Sequence, residues 1–132
     1  MIDTLNIGSF ICDTIRTDKE LTKTLGLKDK VFPIVAEDGT TFPFIIYKRT
    51  GLTSNSCKDG YYEDFVRVEI KAVCSSYIQS INVINRIREL FECQHFEYEN
   101  MSIGDVSIEN ASENYEYNAF TQTINLVLKI NE

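Results

Sequence analysis

The sequence predicts an α+β fold, a largely antiparallel sheet with two helices packed on one face. Two segments place apolar residues at three- and four-residue steps, as amphipathic helices do, and six segments show the alternating or short apolar pattern of strands. Their order is α, β, β, β, α, β, β, β, which groups the strands in hairpins. The length of 132 residues suits one domain, which we expect to span residues 1–132.

The first helix follows from a stripe of apolar residues near the start of the chain. This stripe consists of Ile7, Phe10, Ile11 and Ile15. Thr17-x-x-Glu20 then has the form of a capping box, in which the threonine side chain caps a second helical turn. Gly26 stands where a glycine commonly ends a helix. The region therefore predicts two helical pieces with a break between them.

Two strands are predicted next. Val31–Ile34 contains Pro33, which confines this strand to a sheet edge or a strand start because proline has no backbone N–H to donate. Asp38-Gly39 predicts a tight turn, and Phe44–Arg49 predicts the second strand. The polar stretch Gly51–Asp64 that follows is long for a connection between paired strands, and it predicts a loop.

The third strand is the clearest of the six. Val66, Val68 and Ile70 point to one side of it, while the charged residues between them point to the other. One face of this strand is therefore expected to be buried.

Ser76-x-x-Gln79 follows this strand and predicts the capped start of a long helix over Tyr77–Cys93.

Three strands are predicted after this helix. Phe96–Tyr98 is the first, and Ile103-Gly104-Asp105 predicts the hairpin turn that leads to the second. The last, Phe120–Ile130, alternates to the end of the chain. We expect it to lie at a sheet edge or to reach into a neighbouring subunit, since an edge strand offers unpaired N–H and C=O groups.

Acidic residues are concentrated in the last third of the chain. The formal net charge is −7, and residues 89–128 contain eight Asp and Glu but neither Lys nor Arg. Proteins that grip nucleic acid neutralise phosphates with basic side chains, so we expect no specific nucleic-acid binding. Three interpretations of this acidic face stay open: it serves solubility alone, it repels DNA, or it docks a basic partner. For DNA repulsion the candidate residues are Glu109, Glu113 and Glu116.

Residues that could carry catalysis or hold a metal are sparse. The four cysteines include no C-x-x-C pair, and structural zinc sites need such closely spaced ligands. The single histidine, His95, has no paired acid at a telling spacing, and no G-x-S-x-G or phosphate-binding glycine motif occurs. We therefore expect no enzyme, no metal and no cofactor.

The N-terminus indicates neither export nor membrane anchoring. It lacks a basic start and a long apolar segment, and no stretch approaches the roughly 20 apolar residues that span a bilayer. We therefore expect a cytoplasmic protein without a signal peptide or a membrane partner.

The predicted loop contains candidate residues for a protein contact. These are Ser54, Asn55, Lys58, Tyr61 and Tyr62. Adjacent tyrosines bring contact area and a polar tip at low entropic cost, which suits an anchor at an interface. A hairpin tip without any partner accounts for the same residues equally well, and both interpretations stay open.

One run of residues resembles a known family. Val31–Tyr47 reads VFPIVAEDGTTFPFIIY, and this run is similar to the V-[YF]-P … P-[YFI]-[VI]-x-Y pattern of tail completion proteins of tailed bacteriophages. These are also described as tail terminator or tail-to-head joining proteins. Leu25-Gly26 precedes the run, as in the family, and the order of elements is similar over almost the whole chain. The matched motif residues are Val31, Phe32, Pro33, Pro43 and Tyr47.

The resemblance implies a small subunit of a ring, commonly a hexamer, that caps the tail tube and joins it to the head connector. Tail tube and connector proteins would be its partners, and neither cofactor nor catalysis goes with the family. The protein would assemble in the cytoplasm of a bacterial host and end at the tail–head junction of the virion. The alternative is a dimeric bacterial α+β module that binds a ligand or a protein without catalysis.

Overall fold

A computed structural model of the chain describes residues 4–56 and 62–131 and places one six-stranded sheet there. The strands are β1 (Val31–Pro33), β2 (Phe44–Ser56), β3 (Tyr62–Cys74), β4 (Phe96–Tyr98), β5 (Met101–Glu116) and β6 (Ala119–Asn131). They lie in the order β1-β2-β3-β6-β5-β4, with β1 parallel to β2 and every other neighbouring pair antiparallel. The predicted α+β class with a largely antiparallel sheet is confirmed.

Two helices cover one face of this sheet. α1 (Ile7–Thr17) packs on β1 and β2, whereas α2 (Tyr77–Phe91) packs on β3 and β6. A short 3₁₀ turn over Thr4–Asn6 precedes α1, and a single π-helical turn over Glu20–Thr24 follows it. Helix α2 begins as predicted, because the Ser76 hydroxyl accepts a hydrogen bond from the backbone N–H of Gln79 at 3.4 Å.

The core lies between the helices and the central strands. The alternation predicted for β3 is confirmed, since Val66, Val68 and Ile70 are buried under the helices. The antiparallel register pairs these three residues with Leu128, Leu126 and Ile124 of β6, which are buried as well. Residues that alternate with this set form the opposite surface, here called the helix-free face. In β3 and β6 it includes Arg67, Glu69, Lys71, Thr123, Asn125 and Val127.

The capping box predicted at Thr17 is wrong. Thr17 is still the last residue of α1, and its hydroxyl donates to the carbonyl of Asp13 at 2.8 Å. The side chain of the next residue, Asp18, does the capping, because its carboxylate accepts from the backbone N–H of Leu21 at 3.1 Å. The glycine at the end of this region behaves as predicted, with Gly26 at φ +75°.

The loop predicted over 51–64 is largely strand. β2 continues to Ser56 and β3 starts at Tyr62, with pairs such as Leu52 opposite Val66. Polar side chains do not prevent this pairing, because ladder hydrogen bonds join backbone groups that every non-proline residue carries. The turn predicted at Asp59-Gly60 lies outside the described residues.

The hairpin turn predicted at Ile103-Gly104-Asp105 is also wrong. These residues lie inside β5, where the register shifts between Gly104 and Ser107 and Asp105 has φ +48°. The sequence signal reflects a bulge, which needs the same unusual backbone geometry as a turn. The chain instead reverses between β4 and β5 at Glu99-Asn100, where Glu99 has φ +53°.

β6 does not lie at an edge, contrary to the prediction. It pairs with β3 on one side and with β5 on the other along nearly its whole length. A strand pattern reports which side chains are buried but not how many neighbouring strands it has, so the position was not predictable. The outermost strands are β1 and β4, with three residues each. The position of β1 agrees with the prediction made from Pro33.

Candidate assembly surfaces

The two halves of the Val31–Tyr47 motif are brought together by the sheet. β1 lies parallel to the start of β2, so that Val31 pairs with Ile45 and Pro33 pairs with Tyr47. Pro43 comes directly before β2 and Pro33 ends β1. The residues between the two halves therefore form the connection that brings β2 alongside β1 in parallel orientation.

Most of the motif residues serve packing. Val31 and Tyr47 are buried, while Phe32 and Pro43 are half-buried. Helix α1 crosses Tyr47 at Gly8, where an added Cβ would lie 3.2 Å from the Cε2 atom of the tyrosine ring. Burial, followed by a hydrogen bond to Cys12, raises the pKa of Tyr47 to about 12. The tyrosine therefore stays neutral and acts as a packing residue.

An exposed apolar group follows the motif strand β1. Ile34 is 72% exposed and Val35 71%, and the exposed Leu5 lies with Ile34 and Pro33 around one shallow cleft. Ile34 has φ +67°, an outlier for a β-branched residue, and its N–H donates to the carbonyl of Tyr47 at 2.8 Å. Sequence reasoning missed this group because it placed Ile34 inside the strand predicted over Val31–Ile34, whereas β1 ends at Pro33.

Two long strand edges are open in the part of the chain that the structure describes. β1 pairs only with residues 45–47 of β2, so the β2 edge, Lys48–Ser56, has no second strand beside it there. β4 pairs only with residues 101–103 of β5, and the Cys93 N–H bonds the carbonyl of Val106. Beyond that point the β5 edge, Ser107–Glu116, is likewise open. Both edges offer unpaired backbone donors and acceptors.

The two edges carry opposite charges. Lys48 and Arg49 are the charged residues of the β2 edge, and both are exposed. The charged residues of the β5 edge are Glu109, Glu113 and Glu116, again all exposed. Arg49 donates to the carbonyl of Leu5 at 2.6 Å, which orders its side chain at the start of this edge.

The three glutamates predicted to repel DNA do not share one surface. Glu109 pairs with Arg67 at 3.3 Å on the helix-free face, and the register places Glu116 on the same face. Glu113 lies on the helix side, where its carboxylate accepts from the Gln122 amide at 3.0 Å. Hydrogen bonds from Tyr77 and then Gln122 lower the pKa of Glu113. Their role toward DNA stays a prediction.

The predicted protein-contact residues are only partly described. Ser54 and Asn55 lie exposed on the β2 edge, whereas Lys58 and Tyr61 lie outside the described residues. Tyr62 starts β3, where its backbone pairs with Ser56. Their contact role also stays a prediction.

Another hairpin tip presents tyrosines that sequence reasoning did not select. The chain turns from β5 to β6 at Tyr117-Asn118, and both residues have positive φ, +52° and +60°. Tyr117 is 92% exposed, while the ring of Tyr115 packs on Phe120 with centroids 4.8 Å apart. The sequence did contain a turn signal here, because Asn118 follows Tyr115 and Tyr117 and asparagine tolerates positive φ.

Neither a metal centre nor a membrane span stands out in the described parts of the chain. Residues 4–56 and 62–131 contain no group of three His, Cys, Asp or Glu side chains placed to hold a metal ion. Within the same residues no helix is both long and apolar enough to cross a bilayer. The candidate functional features of the described residues are therefore exposed surfaces and open strand edges.

Comparison with known proteins gives a fold and no family. No protein-family model matches the sequence, and no curated protein matches it. A protein in the virion of a native gene transfer agent particle superposes with a TM-score of 0.72 over 92% of this chain and 90% of its own, at 11% identity. A second solved protein, which carries no descriptive name, gives 0.66 over 98% and 96%, also at 11% identity. This chain therefore has the fold of a component found in a gene transfer agent virion.

Proposed function

We propose that this chain is a structural protein of a phage or prophage particle, which caps the tail tube as a ring and joins it to the head connector. The observation that carries the proposal is the fold shared with the gene transfer agent virion protein over nine-tenths of both chains, 92% and 90%. The tail-completion motif supports it, because its two halves form one structural unit of paired strands and buried Val31 and Tyr47.

The open strand edges support a ring. A ring needs two different surfaces on opposite sides of each subunit. The β2 edge and the β5 edge meet this requirement, because they lie at the two opposite lateral edges of the sheet. Each subunit would work through binding surfaces without catalysis or cofactor. The site of action would be the tail–head junction, with tail tube and connector proteins as partners.

Acidic residues would help DNA to pass such a ring without sticking. Only Glu109 and Glu116 share a face, and Glu109 is already paired with Arg67. Reversing the charge at Glu109, Glu113 and Glu116 should slow DNA ejection from particles that still assemble, because phosphates would then be attracted. Unchanged ejection from such particles would discard this role.

Deleting the gene from the strain that carries it tests the proposed function. Electron microscopy after induction should then find filled heads and separate tails, because the joining ring is missing. Supplying the wild-type gene should restore joined particles. Supplying Lys23→Glu, a change at an exposed residue that belongs to neither edge, should restore them equally. Joined particles at normal numbers in the deletion strain would refute the proposal.

A ligand-binding module is the second candidate, and one surface favours it. A groove on the helix-free face is lined by Phe42, Phe44, Ile46 and Tyr117, and the rings of Phe42 and Phe44 stack with centroids 5.8 Å apart. Grooves of this composition suit small apolar ligands. A dimer in solution that binds a small molecule, together with normal particles in the deletion strain, would favour this candidate over the ring.

A further inference from the structure

We propose that the ring closes by β-pairing, in which the β2 edge of one copy joins the β5 edge of the next. This inference rests on the proposed function and specifies how its subunits associate. The sheet would continue from copy to copy around the ring. The occupant of each open edge is thus a second copy of this chain.

Strand directions permit such pairing. β2, β3, β6 and β5 are neighbours in the sheet and each runs antiparallel to the next, so β2 and β5 run in opposite directions. Rotation about a ring axis places each copy beside the last with its strands running in the same direction relative to that axis. The β5 edge of the second copy therefore meets the β2 edge of the first in antiparallel orientation, the geometry of ordinary hairpin pairs.

The edges also match in extent. The β2 edge covers residues 48–56 and the β5 edge covers residues 107–116, so each can satisfy nearly all of the other's open backbone groups. Long open edges are normally shortened, bulged or covered in proteins that stay monomeric. Here β1 covers only residues 45–47 of β2, and β4 covers only residues 101–103 of β5.

Charge selects the unlike pair of edges. Joining β2 to β5 brings Lys48 and Arg49 toward Glu113 and Glu116, whereas joining two β5 edges would oppose glutamates to glutamates. Like charges directly opposite each other destabilise a pair of strands. Two β2 edges would likewise oppose basic residues. The contact is therefore head-to-tail, the type of contact from which rings are built, and not the self-complementary contact of a twofold dimer.

The faces of the side chains and their charges together give the register. Paired residues of adjacent strands lie on the same face, and both Lys48 and Glu116 belong to the helix-free face. Placing these two opposite each other leaves Thr50 as the extra residue, as it already is in the shift between Arg49 and Gly51 against β3. Thr53 then lies opposite Ser112, again on the helix-free face.

Cysteines at this pair test the proposal in the full chain. Thr53→Cys and Ser112→Cys are purified separately, mixed, concentrated and oxidised with copper phenanthroline. Opposed Cβ atoms in an antiparallel pair lie close enough for a disulfide, so the mixture should give about tenfold more dimer than either variant alone. Peptide mapping should identify a bond between positions 53 and 112. A chain with both changes should give a ladder of covalent oligomers.

Two controls isolate the edge contact. The unchanged chain under the same oxidation measures the background from native thiols, among which Cys93 is exposed. A mixture of Thr24→Cys, at an exposed residue near α1, with Ser112→Cys should stay at that background. The cysteine variants are also oxidised inside particles released by the producing strain, where the proposed function places the ring.

The outcomes separate this proposal from the proposed function. Joined particles or purified rings without the 53–112 bond would overturn edge pairing and leave the ring itself standing. Joined particles in the deletion strain would overturn the proposed function instead. A 53–112 bond well above both controls supports pairing between the two edges.

Discussion

Arg86 of α2 connects two parts of the chain that are far apart in sequence. Its guanidinium donates to both carboxylate oxygens of Asp18, at 2.7 and 3.0 Å, and it also contacts Glu20 and Glu89. Asp18 is the more buried partner and caps the turn that starts at Glu20. Hydrogen bonds from Arg86 hold the pKa of Asp18 below its usual value. One carboxylate thus fixes the N-terminal region against α2.

Asp18→Asn should lower the free energy of unfolding at pH 7 by about 2 kcal/mol, because it removes charge-assisted hydrogen bonds at a largely buried site. The folded pKa is depressed, so the contribution is full above the unfolded pKa of about 3.9 and disappears as pH falls through the folded value. Urea unfolding at pH 7 and at a series of acidic pH values should therefore show a gap in stability between variant and wild type that narrows as the pH falls.

Glu89→Gln is the control for this prediction. Glu89 contacts the same guanidinium at 3.1 Å but is largely exposed, so its loss should cost at most about 0.5 kcal/mol. Equal effects of the two substitutions, or a gap that does not narrow as the pH falls, would contradict the assigned role of Asp18.

Thiol burial separates two cysteines that sequence alone treats alike. Burial raises the pKa of Cys74 to about 11, and its side chain lies in the core, whereas Cys93 is exposed. At pH 8 a maleimide should label Cys93 within minutes and Cys74 only after urea unfolding, because the thiolate is the reactive form. Peptide mapping by mass spectrometry checks this. Labelling of Cys74 at the same rate as Cys93 would contradict the buried position.

At the scale of elements, the β5–β6 hairpin combines backbone strain with exposure. Tyr117 occupies the left-handed region at φ +52° although its side chain contributes little packing, since it is 92% exposed. An L-residue other than Asn or Asp is destabilised by roughly 1–2 kcal/mol in this region. Such strain at an exposed aromatic residue fits a tip that makes a contact with another molecule, and under the proposed function that contact is made in the particle.

Tyr117→Asn should raise the free energy of unfolding by about 0.5–1 kcal/mol, because asparagine tolerates the left-handed backbone region. Thermal unfolding measures the change. Tyr115→Asn is the matched control and should lower stability, because the Tyr115 ring packs on Phe120. A destabilised Tyr117→Asn variant would show that the exposed ring packs within the subunit after all.

Open edges and an uneven charge distribution together characterise the whole molecule. The core is buried within one chain, while both long edges and the apolar group at Ile34 and Val35 are exposed. If opposite charges guide the β2 edge to the β5 edge, ring formation depends on ionic strength, because exposed charges are screened over about 10 Å at 0.1 M salt.

Lys48→Glu should reduce ring formation, and Lys48→Glu with Glu116→Lys should restore it, because the second change re-creates an opposite-charge pair. Analytical ultracentrifugation at low and high salt measures the ring fraction. Lys23→Glu makes the same charge change as Lys48→Glu at an exposed residue that belongs to neither edge, so it should leave the ring fraction unaltered. A double variant that assembles no better than Lys48→Glu alone would count against the register with Lys48 opposite Glu116.

Local patterns sufficed for much of the fold and for the residues of the motif. The helix stripes, the alternation in β3 and β6, the cap at Ser76 and the edge position of β1 follow from side-chain periodicity and from the chemistry of single residues. Strand order, the central place of β6 and the division of Glu109 and Glu113 between two faces were decided by tertiary structure. Backbone groups pair alike for almost any sequence, so only packing of distant segments determines which edges stay open.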